Sequence, residues 1–404
     1  MPPFFITMSK TLENFFDIYP SPFPFDVKER IERGYREPFD IADEYSLIFP
    51  DKGSEKNTVE NVLIFGCGHT EALFHALRNP KINFIGIDIS KNAISSANKF
   101  VADNNLENIK FENVNLIDFN SNINFDIIYA NNVFQYLDNP LDGFLKSFSL
   151  LSESGTVVCS LPSYYYYSEI NIMRKKLINL GYSYLDDESI NEAFNIVTGL
   201  GGIHPARVRM VDEDKFIDKK DFISRFLVPI FSCFSISDIF SLIKNSNFYF
   251  QSWYSNSLYY PSALLRKEST KHSSLYNRIN QLPDPQKWDF VCEIFKSSND
   301  RFSHSFTLRK TEDHQFINNT LLKNNNTFIS LRNNTVIKKL AESQETFAIS
   351  SNYKRKLTDE ETLLVKEFEK PIKIKDVYKL ELDIEDIDSV ILSLLESSII
   401  NVYS

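Results

Sequence analysis

Two glycines flank a cysteine at Gly66-Cys67-Gly68, between the apolar run "VLIF" and the helically spaced "EALF". Glycine is scarce in this chain, 11 in 404 residues, so two within three positions mark a tight turn or a close approach to the backbone. The next apolar run, "NFIGID", ends in a carboxylate, Asp88. A glycine turn after one strand and an acid after the next can hold a ribose-bearing cofactor, with the acid accepting from two hydroxyl groups. A dinucleotide fingerprint would continue as G-x-G-x-x-G, but position 71 is Glu, an unfavourable charge at the mouth of a helix that should receive a diphosphate. No Gly-Lys-Ser/Thr follows either, so a nucleoside triphosphate turn is also missing.

The elements that must position these residues follow from the spacing of apolar side chains. Between 61 and 160, "NVLIF", "NFIGID", "IKFENVN", "FDIIYAN" and "GTVVCSL" are short, continuous and rich in Val and Ile, as expected of strands buried on both faces of a parallel sheet. Helical stretches separate them, among them "SKNAISSANKFVADNN" with Ser90 as N-cap. The alternation predicts a doubly wound α/β layer with its ligand at the carboxyl ends of the strands. A methyl donor suits that place. S-adenosylmethionine has no phosphate, its amino acid end must cross a tight turn, and its ribose diol suits a carboxylate such as Asp88.

The joint pattern resembles the class I S-adenosylmethionine-dependent methyltransferases. "VLIFGCGHTEA" is similar to their first motif, "FIGIDIS" to the acidic second and "FENVNLIDF" to the adenine-contacting third. "FDIIYANNVFQYLDNPLDGFLKSFSLLSESGTVVCSLP" resembles the fourth motif through the fifth strand. The resemblance implies a Rossmann-like methyltransferase sheet and S-adenosyl-L-methionine as cofactor. It places Phe65, Gly66, Cys67 and Gly68 at the methionine moiety, Asp88 on the ribose and Ile89 on the adenine. Asn115 falls where the family usually has an aspartate for the adenine amino group, Leu116 would offer a backbone N–H, and Asn131 would line the floor of methyl transfer. Thr70 stands where a third glycine is usual. An amide oxygen still accepts from an amino group, and Thr70 lies just past the closest backbone approach. More faintly, "LPSYYYYSEINIMRKKL", the aromatic stretch 225–261 and "LPDPQKWDFVCEIF" look like bacterial methyltransferases with a helical middle section.

Bland roles stand beside these. Gly66 and Gly68 could merely end a strand, Asp88 could serve a helix N-terminus, and Asp118 could compete with Asn115. Cys67 fits packing better than nucleophilic attack, because methyl transfer needs no covalent enzyme intermediate. His69 could meet the methionine carboxylate or only solvent. No catalytic residue is assigned: His304 and Tyr164 are the candidates for a base should the acceptor be a hydroxyl or a protonated amine. Four successive tyrosines, Tyr164 to Tyr167, point in different directions from a helix, so at most two face one pocket.

Composition narrows the partners. A formal net charge of −10 gives no basic surplus to neutralise phosphates, so nucleic acid is not expected. The N-terminus lacks a basic start followed by an apolar core, and no apolar run reaches the roughly 18 residues of a membrane span, so no membrane partner is expected and a cytoplasmic location is the default. Four dispersed cysteines form no CxxC pair, and no HExxH occurs, so no metal site is read. The expected division is a helical lead-in over 1–58, the cofactor-binding core over 59–162, a mixed helical and strand middle section over 163–310 that completes the sheet and covers the acceptor, a polar linker or hairpin over 311–356, and a small winged-helix-like unit over 357–404. In that last unit Thr358 and Glu361 form a capping box, and over 356–404 acidic side chains outnumber basic ones two to one. Three functional readings follow: methyl transfer to a small molecule enclosed by the middle section and "YPSPFPF", transfer to a lysine-type protein side chain, or a non-catalytic binding module. The first is favoured.

Overall fold

The computed structural model describes residues 8–20, 25–52, 59–212, 215–264, 273–294, 303–312, 324–333, 335–340, 345–349 and 354–403. They fall into two compact units: Met1–Arg36, Val59–Ser235 and Phe302–His304 form one, Glu37–Thr58, Ile236–Arg301 and Ser305–Ser404 the other.

The first unit is built on five parallel strands, β1 (Asn61–Phe65), β2 (Asn83–Asp88), β3 (Ile109–Asn113), β4 (Phe125–Asn131) and β5 (Leu151–Pro162). They lie in the order β3-β2-β1-β4-β5. All five stand where the apolar runs predict them, with β5 starting earlier, at Leu151. The register aligns Ile64 with Gly86 on one side and with Tyr129 on the other. Val62 to Phe65 are fully buried, which is why the run is continuous and not alternating. Chain direction along the sheet reverses between β1 and β4, so the helices Glu71–Arg78, Lys91–Asn104 and Pro140–Leu150 are distributed in a doubly wound, Rossmann-like arrangement. The switch point lies at the ends of β1 and β4.

A second helical layer follows β5: Tyr164–Asn179, Asp187–Thr198 and Lys219–Phe226 share a core of Ile170, Leu177, Ala193, Phe222 and Phe226 with Leu12 and Phe15 of the N-terminal helix Met8–Ile18. That N-terminal helix is fastened through Asp17. Its carboxylate Oδ1 accepts from Ser90 Oγ at 2.6 Å and from the Asn92 N–H at 3.1 Å, while Ser90 Oγ accepts from the Ala93 N–H as the expected N-cap. The Ser21 to Pro24 part of "YPSPFPF" lies outside the described residues.

In the second unit the strand Tyr249–Trp253 pairs antiparallel with Phe306–Arg309, with Trp253 opposite Phe306. Towards the C-terminus, helices Asp359–Glu367, Ile374–Val377 and Ile387–Glu396 pack through Leu364, Val365, Val377, Ile391 and Leu394. The sheet beside them has Phe328–Leu331 between Ile372–Lys373 and Ile400–Tyr403, all antiparallel. Its central strand comes from the Asn-rich segment, whose polar flanks hide four residues of strand. Thr358 and Glu361 form the capping box. Glu361 also makes a bidentate ion pair with Arg355, at 2.7 and 3.1 Å. Among the described residues no helix is long and apolar enough to cross a membrane, and no group of His, Cys, Asp and Glu is arranged to hold a metal ion.

Candidate functional site

The turn after β1 carries Gly66 and Gly68 at φ +58° and +54°, in the left-handed region that favours glycine. At Gly66 packing adds a second demand: a Cβ would meet Val133 Cγ2 at 2.7 Å. Phe65 has its side chain fully buried against Phe134, so only its backbone is available to a ligand. The Cys67 N–H donates to Ile87 O at 3.1 Å, and burial pushes the Cys67 thiol well up, with Asp88 and Glu71 adding to the effect. A buried neutral thiol is a packing group and no nucleophile.

Asp88 closes the turn from the end of β2. The Gly68 N–H donates to one carboxylate oxygen at 2.9 Å and the Ser90 N–H to the other at 2.8 Å. A carboxylate offers about four acceptor sites, so capacity remains for hydroxyl donors. Burial raises its pKa, the Ser90 and Gly68 N–H groups lower it, the neighbouring Asp17 carboxylate raises it further, and the Ile89 N–H lowers it. The loop after β3 is tied to the same point. The Val114 N–H donates to Asp88 O at 3.1 Å, and Asn113 Nδ2 donates to the carbonyls of Asp88 and Ile89. Asn115 follows directly. Its side-chain oxygen accepts from the Ile117 N–H at 3.0 Å, an Asx turn. Leu116 is buried beside it, whereas Asp118 is exposed.

At the end of β4, Asn131 Nδ2 donates to Glu71 Oε1 at 2.6 Å, and its Oδ1 accepts from Ser160 Oγ at 3.2 Å. The half-buried Glu71 carboxylate is thus held in the first turn of helix Glu71–Arg78, beside the glycine turn. Sequence reasoning used Glu71 only against a diphosphate. Its partner lies far along the chain, and only the β1–β4 pairing brings the two together. His69 lies in the same turn. Both its ring nitrogens are buried without a hydrogen-bond partner, and burial lowers its pKa. Orphaned polar atoms of this kind ask for a ligand or an ordered water.

The other candidates stand elsewhere. Ile89 packs against the aromatic cluster of the helical layer. His304 is buried with its ring edge-on to Tyr165 at 5.9 Å. Tyr164 is 47% exposed, whereas Tyr167 joins the cluster that Ile89 also meets. The structure therefore gathers the 66–68 turn, Asp88, Asn115 and Asn131 at neighbouring strand ends.

Residues 56–195 match a family model described as a methyltransferase domain. Among solved structures, PKMT2 from Rickettsia typhi in complex with AdoHcy matches at 16% identity over 86% of this chain and 72% of that one, with a TM-score of 0.56. A second structure of PKMT2 from Rickettsia typhi matches at 14% identity over 100% of this chain and 77% of that one, with a TM-score of 0.57. At these identities the likeness is one of fold.

Proposed function

The chain carries a methyltransferase domain over 56–195 with the fold of the class I S-adenosylmethionine-dependent enzymes, and on that premise we propose that it transfers a methyl group from S-adenosylmethionine to a small-molecule acceptor. The observation that carries the cofactor assignment is Asp88: a carboxylate at the end of the second strand, oriented by two backbone N–H groups, with acceptor capacity left for a ribose diol. When bound, S-adenosylmethionine supplies an electrophilic methyl group on a sulfonium. The chain's own residues bind and orient. Gly66 and Gly68 let the backbone come close to the amino acid end, Glu71 faces its ammonium and His69 its carboxylate. Asn115 takes the adenine amino group and Leu116 a ring nitrogen through its N–H. The Glu71 carboxylate, unsuited to a diphosphate, complements an ammonium group. Asn131 holds Glu71 in place and lines the floor beneath the reacting atoms.

Transfer by in-line displacement asks chiefly for two reactants held at near-attack distance in a dry site, so no residue here is assigned as a base. The helical layer over the strand ends, with its aromatic core, favours an enclosed acceptor. A thermal-shift comparison tests the cofactor class. S-adenosylhomocysteine is expected to raise the melting temperature by several degrees at about 100 times its Kd, while NAD and ATP leave it unchanged. Stabilisation by NAD or ATP and none by S-adenosylhomocysteine would overturn the assignment.

A further inference from the structure

Two buried polar atoms just past the carboxyl ends of β4 and β5 have no hydrogen-bond partner among the described residues: Gln135 Oε1 and Ser163 Oγ. Each of the two residues is only 1% exposed. An unpaired buried polar atom is costly, so both ask for a ligand or an ordered water, and strand ends are where this fold places ligands.

The local backbone sets their direction. Asn132, directly after β4, takes φ +52°, a left-handed conformation, and its carbonyl accepts from Gln135 Nε2 at 2.6 Å. With the nitrogen end of the amide on that carbonyl, the oxygen end faces elsewhere, and it can only accept. Ser163 is the N-cap residue of helix Tyr164–Asn179, yet its hydroxyl caps no N–H of that helix. One short segment joins the two residues. The Ser232 N–H donates to Gln135 O at 3.0 Å, the Phe234 N–H to Pro162 O at 2.9 Å, and the Tyr164 N–H to Phe234 O at 2.8 Å.

The stretch after β4 also borders the cofactor turn. Asn131 holds Glu71, and a Cβ on Gly66 would meet Val133 Cγ2. Gln135 thus follows within four residues of groups that face the amino acid end, the end from which the methyl group leaves. Three half-buried rings stand about the orphaned atoms: Tyr136 next to Gln135, Phe231 next to Ser232, and Tyr167 one helical turn after Ser163. The Phe231 ring centroid lies 6.1 Å from that of Tyr136 and 5.4 Å from that of Tyr167. Rings at the rim and polar atoms buried beside them suit a ligand with a flat apolar body and one polar group.

Resting on the methyltransferase reading, we propose that Gln135 and Ser163 anchor the acceptor. The acceptor class is a flat apolar molecule with a neutral hydroxyl or N–H group, which donates to Gln135 Oε1 and accepts from Ser163 Oγ. An ether or ester at that place leaves the Gln135 oxygen unpaired and is rejected.

The test uses the full chain saturated with S-adenosylhomocysteine and two probes that differ by one donor hydrogen, 4-ethylphenol and 4-ethylanisole. Ligand-observed NMR titration at neutral pH is expected to find the phenol bound about tenfold or more tighter than the ether. Gln135→Met and Ser163→Ala should each cut that preference to about threefold or less and leave S-adenosylhomocysteine affinity within about twofold. Ser163→Ala should also melt no lower than the wild type, because it removes a buried hydroxyl that has no partner in the fold. Equal binding of the two probes, binding of neither, a preference unchanged in either variant, or a Ser163→Ala chain that melts several degrees lower would each overturn the proposal. S-adenosylhomocysteine is titrated first. Its failure to bind contradicts the methyltransferase reading itself, whereas its binding together with any of those four outcomes overturns the acceptor proposal alone.

Discussion

At the scale of single residues, Asp88 and Glu71 give the sharpest expectations. Ribose hydroxyls donate to the ionised Asp88, and its pKa is raised in the free protein. S-adenosylhomocysteine affinity should therefore fall as the pH drops through that raised value, and calorimetry across pH should find the fall absent in Asp88→Asn. Glu71 reads the ammonium of the amino acid end, so Glu71→Gln should weaken S-adenosylhomocysteine by about tenfold but leave 5′-methylthioadenosine, which lacks that end, within about twofold. Equal losses for both ligands would mean that Glu71 acts only through the shape of the turn. His75 bears on stability. It is fully buried, stacks on Tyr129 at 4.4 Å, and has its pKa lowered to about 3 by burial and by Arg78. The unfolded chain binds a proton there below about pH 6.5 that the folded chain refuses, so stability should fall by up to about 1.4 kcal/mol per pH unit between those limits. Denaturant unfolding of His75→Phe should show a shallower acid slope than the wild type. Asp88 and the glycines were legible in the sequence because a strand, a turn and the next strand end are local signals. Glu71 was not: its role depends on Asn131, which only sheet pairing brings to it.

At the scale of elements, two connections carry more than their local signals disclose. Ser90 reads as an N-cap from sequence alone, but Asp17 then accepts from both Ser90 Oγ and the Asn92 N–H and so fastens the N-terminal helix to helix Lys91–Asn104. Asp17→Ala removes the partner of the part-buried Ser90 hydroxyl and of the exposed Asn92 N–H, and should cost about 1 kcal/mol in denaturant unfolding. Glu361 likewise reads as half of a capping box, yet the structure adds its bidentate pair with Arg355 and a hydrogen bond from Ser393 Oγ at 2.8 Å. Glu361→Ala leaves a largely buried guanidinium unpaired, so its cost should approach 3–5 kcal/mol, well above the ~1 kcal/mol of a lost cap. The Asn-rich stretch shows the converse failure. Phe328–Leu331 is too short and its surroundings too polar to announce a strand, and its pairing partners lie more than forty residues away.

At the scale of the whole molecule, the sequence discloses a class of chemistry but not its acceptor. Five strands, all but the edge strand β3 largely buried, the glycine turn and the acid ending β2 are contiguous, and contiguous patterns survive in a bare sequence. The helical layer that meets Ile89 is assembled from the N-terminal helix and three helices beyond β5, so its aromatic core comes together only in the fold. The account as a whole stands on the cofactor, and calorimetric titration of S-adenosylhomocysteine into the wild type and Asp88→Ala tests it most directly. It predicts micromolar binding by the wild type and a loss of about tenfold or more in the variant, from removing a charged acceptor of two hydroxyl donors. A folded wild type that does not bind, or a variant that binds equally well, would contradict it.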